Sequence, residues 1–178
     1  MLTSDGQDDS LLRLSAEGGI LTRSVHIDQD EATRSHDFAL PLKGVTIWQA
    51  QGAGLRKRDF RPEKFGELLP HMALLRVLGP PYDFQCAVFG GHQRQHFGGD
   101  LTGRRLSEII DQRVDAHPAG TALITAAQRC EPLFFRLSYV NLNVVRKTAA
   151  CVLLPLLDDA GQSVTALLSV AQFETLKA

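Results

Sequence analysis

His92 and His96 stand four residues apart in the stretch FGGHQRQHFGGDLTGRRL, Phe89 to Leu106, between the glycine pairs Gly90-Gly91 and Gly98-Gly99. A turn of helix between those glycines puts both imidazoles on one face, the arrangement used in metal-assisted hydrolysis. Catalytic zinc takes three protein ligands, however, and structural zinc four. The hydrolase pattern also needs a glutamate directly after the first histidine as general base. Gln93 stands there and cannot accept a proton. Cys86, His71 and His117 are the distant ligands that would have to complete a site, and no spacing recommends them. No metal is assigned; a metal-binding hydrolase built on His92 and His96 stays as the alternative.

Other chemistries leave less trace. Ser138 and Ser169 fall in strand-like segments without the sharp turn that exposes a nucleophilic serine. Neither glycine pair is followed by the Lys-Ser/Thr of a phosphate loop. The chain is therefore expected not to be an enzyme. A formal net charge of −1, with no basic clusters interleaved with aromatics, gives no case for nucleic acid. The longest apolar run, Ala149 to Leu157, is too short for a bilayer and contains Pro155. The acidic start MLTSDGQDDS lacks the basic, apolar character of a secretion signal. Cys86, Cys130 and Cys151 are odd in number and unpaired by spacing, so they are expected as small buried hydrophobes in a reducing, cytoplasmic setting.

The charge is unevenly spread. Residues 1–37 hold eight acidic residues against three basic ones, a charge of −5, which leaves +4 for the rest. An acidic arm precedes a mildly basic domain, and contact between them is expected.

The elements that must position these residues follow from periodicity. GGILTRSVHI is a short strand or an ordered arm. Leu42 to Ala53 is an amphipathic helix with Val45 and Trp48 on one stripe. A helix from Pro62 ends at Pro70 and leads into the strand MALLRVL; Gly79-Pro80-Pro81 then turns the chain into DFQCAVFG. After the histidine helix come SEIIDQRVDA and the alanine-rich PAGTALITAAQRC. In LFFRLSYV, Leu133, Phe135, Leu137 and Tyr139 share one face while Phe134, Arg136, Ser138 and Val140 share the other. TAACVLLPL and SVTALLSVAQF follow, joined by the turn residues Asp158, Asp159 and Gly161. Hairpin-linked strands make an antiparallel sheet, and helices inserted in the middle must fold over one of its faces. The fold class is α+β.

The order β-β-α-α-α-β-β-β resembles the PAS sensor domain. FRPEKFGELLPHMALLRVL, GGDLTGRRLSEI and LLPLLDDAGQSVTALLSVAQFE are similar to a bacterial subfamily of small PAS-like proteins, over roughly Ile47 to Glu174. The resemblance implies a five-stranded antiparallel sheet covered on one face by short helices, after an N-terminal extension (residues 1–41) and a flanking helix that opens the domain (residues 42–178). Gly103 is expected to turn the chain with a positive φ, and Asp100 or Thr102 to cap the helix beyond it.

Such domains bind small molecules between sheet and cover, some of them haem through one histidine, or bring partners together. The cofactor stays unknown, because a haem pocket lined by Phe84, Phe89, Phe97, Phe135, Leu137 and Leu154 sits badly with the polar His92–His96 helix. On this resemblance the ligand-facing candidates are His92, His96, Phe97, Arg105, Phe135, Leu137 and Tyr139. Arg105, like Arg104, could instead pair with Glu108. Arg136 is expected to be exposed. Val45 and Trp48 are candidates for a homodimer interface. The expected function is a stand-alone, non-catalytic sensory or signalling module that binds a small ligand or partner protein; a pure interaction scaffold is the second alternative.

Overall fold

A computed structural model describes residues 20–110, 113–141, 143 and 145–175, with backbone alone for 20–23 and 175. The Leu11, Leu12 and Leu14 cluster of the arm lies outside the described residues. The strands are β1 (Ile20–Ile27), β2 (Met72–Leu78), β3 (Asp83–Phe89), β4 (Leu133–Val140), β5 (Arg146–Leu157) and β6 (Val164–Thr175). They form one sheet in the order β1-β4-β5-β6-β2-β3, and every neighbouring pair is antiparallel. Three helices, α3 (Gly91–Phe97), α4 (Leu106–Ile110) and α5 (Pro118–Gln128), are inserted between β3 and β4. This is the expected PAS-like α+β fold.

The sheet has six strands, not five. GGILTRSVHI supplies the sixth by pairing with β4 from Ile20↔Val140 to Ile27↔Phe134. Residues 20–41 are thus part of the sheet layer and its covering, and the division after residue 41 falls inside a helix: α1 is Gln29–Arg34 and α2 is Ala39–Ala50. The 3-10 segment Pro62–His71, broken at Gly66, replaces the expected α-helix before β2.

Strand β5 is buried on both faces over Ala149–Leu157. Its alternate residues feed two cores. Ala150, Val152, Leu154 and Leu156 pack with Phe38, Val45, Trp48, Phe65 and Leu68. Cys151 and Leu153 pack on the other side with Phe84, Phe135, Ala122 and Ala126. A strand dry on both faces reads as a continuous apolar run. Pro155 is tolerated within it because β4 ends at the Leu133↔Leu153 pair, so no ladder donor is needed beyond.

Helix α2 therefore lies on the opposite face of the sheet from α3–α5, and both faces are covered. Val45 and Trp48 are buried inside a single chain. The Trp48 indole Nε1–H donates to the Pro155 carbonyl at 3.1 Å. Neither side chain is left for the dimer interface expected of it, because the stripe that carries them already faces β5 and β6.

The acidic arm does touch the domain, and Arg136 is the contact. Instead of pointing freely to solvent, Arg136 Nε donates to Asp37 Oδ2 at 2.9 Å, Nη1 to Glu31 Oε1 at 2.6 Å and Nη2 to Ser35 Oγ at 2.9 Å. Its guanidinium lies 5.2 Å from the centre of the Phe38 ring. Ser35 also donates to Asp37. The Arg136 guanidinium holds the Asp37 carboxyl below the usual carboxylate range.

Planar, multidentate bonding makes this a stronger pair than most at a surface, although a 37% exposed Arg136 side chain is partly screened. Replacing it by an apolar side chain, Arg136→Met, is expected to cost about 1–2 kcal/mol at neutral pH, read from urea denaturation. Asp37 has a depressed folded-state pKa, so its share of this stability is present above the ordinary carboxylate value and lost as pH falls through the folded one. The difference between Arg136→Met and wild type should therefore shrink in acid.

Candidate functional site

A cavity of about 230 Å³ lies between the sheet and α3–α5. Its floor is made of small side chains on the two central strands: Ala149 and Cys151 on β5, Ser169 and Ala171 on β6. Cys151 pairs directly with Ala171 across the ladder. Large residues stand around this floor, namely Phe89, Phe97, Leu137, Tyr139 and Phe173, with Leu101, Leu106, Ile109 and Ile110 from the cover. Side chains too short to reach the cover leave the space, and the large residues around them hold the cover off.

Gln93, His117, Tyr139 and Ser169 line the cavity, and each is more than nine-tenths buried. Gln93, on the inward side of α3, donates through Nε2 to the His71 carbonyl at 3.0 Å. His117 precedes α5 and caps it, its Nδ1 accepting from the Ala119 N–H at 3.1 Å. That bond fixes the tautomer, since Nδ1 must be unprotonated and Nε2 then carries the hydrogen. Burial lowers the His117 pKa, so the ring is neutral. The Tyr139 hydroxyl is buried and has no hydrogen-bond partner among the described residues, and its pKa is raised by burial. The remaining polar groups face each other, with Cys151 Sγ and Ser169 Oγ 3.3 Å apart. Burial pushes the Cys151 thiol up to about 11, which removes it as a nucleophile.

The glycine pairs shape the cover helix. A Cβ on Gly90 would lie 2.5 Å from the Pro70 carbonyl oxygen and 2.6 Å from that of Met72, so only glycine lets α3 start this close to β2. Gly98 ends the helix in the left-handed region, its N–H bonded to the Arg94 carbonyl. Gly103 has the positive φ expected of it. Asp100 does not cap a helix; it accepts from the Thr102 N–H and hydroxyl and closes the turn instead.

Of the residues singled out in the sequence, Phe97, Leu137 and Tyr139 line the cavity. His92 and His96 do not. They belong to a column of rings at its rim: His71 to His92 at 4.2 Å, His92 to His96 at 5.9 Å, and His96 to Phe173 at 4.7 Å. Face-to-face rings carry their in-plane lone pairs side by side instead of turning them onto one ion. Among the described residues no group of three or more His, Cys, Asp and Glu is placed to hold a metal. Arg105 is exposed and lines a separate surface groove with Asp83, Ser107 and Arg113. Phe135 is buried on the same sheet face but at the β1 end, tilted against His26 at 5.5 Å. Cys130, expected to be buried, is exposed.

Sequence reasoning missed Gln93, His117 and the small-residue floor. The floor had a signal: AAC in β5 and SVA in β6 interrupt otherwise bulky alternating strands at positions that become cross-strand neighbours. Gln93 gave none, because its neighbours on α3 are polar and outward.

The column has an acid-sensitive consequence. Burial, together with the charge of neighbouring imidazoles and, for His96, of Lys147 with Nζ 3.4 Å from Nδ1, lowers the pKa of His71 and His96; burial alone lowers that of His117. Groups depressed in the folded state bind protons first in the unfolded chain. Stability is therefore full above about pH 6.5 and falls as pH drops through that value toward the lower folded ones. The urea midpoint should decline between pH 7.5 and 5.5, and His96→Phe, which keeps a ring against Phe173, should make the decline shallower.

No protein-family model matches this chain, and the comparison with curated proteins also returns no match. Two solved structures share features of its fold. An RNA-binding light-oxygen-voltage receptor is 12% identical with a TM-score of 0.46, over 84% of this chain and 37% of that one. A fungal LOV-domain photoreceptor, described as revealing a conserved pathway that integrates blue light and oxidative stress, is 14% identical with a TM-score of 0.44, over 84% of this chain and 100% of that one. This chain thus spans just over a third of the length of the first. No helix among the described residues is long and apolar enough to cross a membrane.

Proposed function

We propose that the chain is a PAS-like, non-catalytic sensory module that holds a small molecule in the cavity between its sheet and α3–α5. By the motifs it shares with them, we place it in the bacterial subfamily of small PAS-like proteins, acting in the cytoplasm. The observation that carries the proposal is the cavity itself, a space of about 230 Å³ over the two central strands, bordered by buried polar side chains. Its ionisable side chains support binding over chemistry. Cys151 is held as a thiol, Tyr139 as a phenol, and the acceptor nitrogen of His117 is committed to the backbone of α5. A sensor needs a cover whose packing differs between empty and filled states. Helix α3 suits that role, being a seven-residue segment joined to the sheet by glycines and contributing both Gln93 and Phe97 to the wall.

Native mass spectrometry of the gently purified chain, with metal analysis and an absorption spectrum, tests this. The expected result is a small non-covalent adduct that disappears in Ala119→Leu and Ala149→Leu, which fill the cavity from opposite walls. Both variants should melt within about 5 °C of wild type, since they add volume to empty space. A colourless, metal-free wild type with nothing bound would favour an interaction scaffold. One zinc per chain, lost in His96→Ala, would favour the hydrolase.

A further inference from the structure

We infer that the cavity takes a neutral, largely apolar molecule of about nine or ten non-hydrogen atoms that carries one oxygen acceptor, taken by the His117 Nε2–H or the Tyr139 hydroxyl. This rests on the cavity being a ligand site, and it specifies the chemistry of the occupant.

Size comes first. A dry engineered cavity of about 150 Å³ accepts benzene, so in proportion 230 Å³ accommodates roughly nine or ten non-hydrogen atoms. That volume admits a substituted single ring or a short branched chain.

Charge comes second. Among the described residues, no Asp, Glu, Lys or Arg lines the cavity. An ionised carboxylate or ammonium entering it would give up its water without gaining a counter-charge, a loss of several kcal/mol that apolar contact over so small a surface does not recover.

Polar matching comes third. Two groups of the wall have a hydrogen to give and no protein acceptor among the described residues. One is the His117 Nε2–H, whose position is fixed by the bond at Nδ1; the other is the Tyr139 hydroxyl. Gln93 has spent one of its two amide hydrogens on the His71 carbonyl and keeps the other along with Oε1, while Ser169 is engaged with Cys151. Of these groups the imidazole N–H can only donate, and a ligand oxygen is what it can use. The Tyr139 hydroxyl is buried without a partner among the described residues, and an oxygen on the ligand relieves that cost where a hydrocarbon does not.

Titration calorimetry on the full chain with three probes of similar size separates the possibilities: acetophenone, ethylbenzene and benzoate. Acetophenone is expected to bind about tenfold more tightly than ethylbenzene, with benzoate not measurable at pH 7.5. The preference for acetophenone should fall toward unity in His117→Asn or in Tyr139→Phe, whichever donor the ketone uses. The first variant keeps a side-chain acceptor to cap α5; the second removes only the hydroxyl. Equal affinity for ethylbenzene, tighter binding of benzoate, or a preference untouched by both variants overturns the assignment while leaving a ligand-holding cavity in place. Failure of all three probes to bind overturns it as well, and the mass spectrum of the wild type then decides whether the cavity holds any ligand.

Discussion

Strands β5 and β6 are shut away from water on both faces over Ala149–Leu157 and residues 166–171, and the rest of the molecule answers to that constraint. A half-buried sheet needs one cover; this one needs two. On one face Val152, Leu154, Leu156, Leu168 and Val170 present large side chains, and α2 with the Pro62–His71 segment closes over them without space to spare. On the other, Ala149, Cys151, Ser169 and Ala171 are small, so α3–α5 are held off by the larger residues at the margins. The same two strands thus build a solid core on one side and a hollow one on the other. The difference comes from side-chain volume at alternating positions, not from topology.

The two covers are secured by different forces. The α2 side is held by apolar burial and by the Trp48 bond to Pro155, with Arg136 fastening the α1 segment through Glu31, Ser35 and Asp37. The α3 side relies on stacked imidazoles, on Asn141 Nδ2 donating to the His96 carbonyl, and on Gln93 bonded to His71. Apolar burial is indifferent to pH, whereas imidazole stacking weakens once neighbouring rings take up protons. The cover over the cavity is therefore the more responsive of the two.

Much of the fold could be read from the sequence because its strands are strongly patterned. LFFRLSYV divides into the two faces its alternation implies, with Phe135 and Leu133 in one core and Phe134 in the other. The charge contrast between arm and domain foretold a contact, realised at Arg136. What stayed hidden depended on neighbours distant in sequence. GGILTRSVHI lacks clean alternation, and its strand character comes from the free edge of β4. The apolar stripe of α2 shows that one side is buried but not whether the partner is another copy or the sheet of the same chain. In His92-Gln93-Arg94-Gln95-His96, five polar residues meet different fates: Gln93 enters the core, His92 and His96 stack, and Arg94 pairs with Asp100. Composition gives no means of sorting them.

Phe173 joins the two halves of the responsive side. It lines the cavity, stacks on His96 at 4.7 Å, and meets Tyr139 edge-on at 6.2 Å. A ligand that gives the Tyr139 hydroxyl a partner acts on a ring in contact with Phe173, and a proton on His96 acts on a ring stacked against the same Phe173. Binding and protonation then bear on one contact, so each must alter the other's equilibrium by the same factor. Relief of a single unsatisfied donor, about 1–3 kcal/mol, matches the coupling free energies that switch small domains between states.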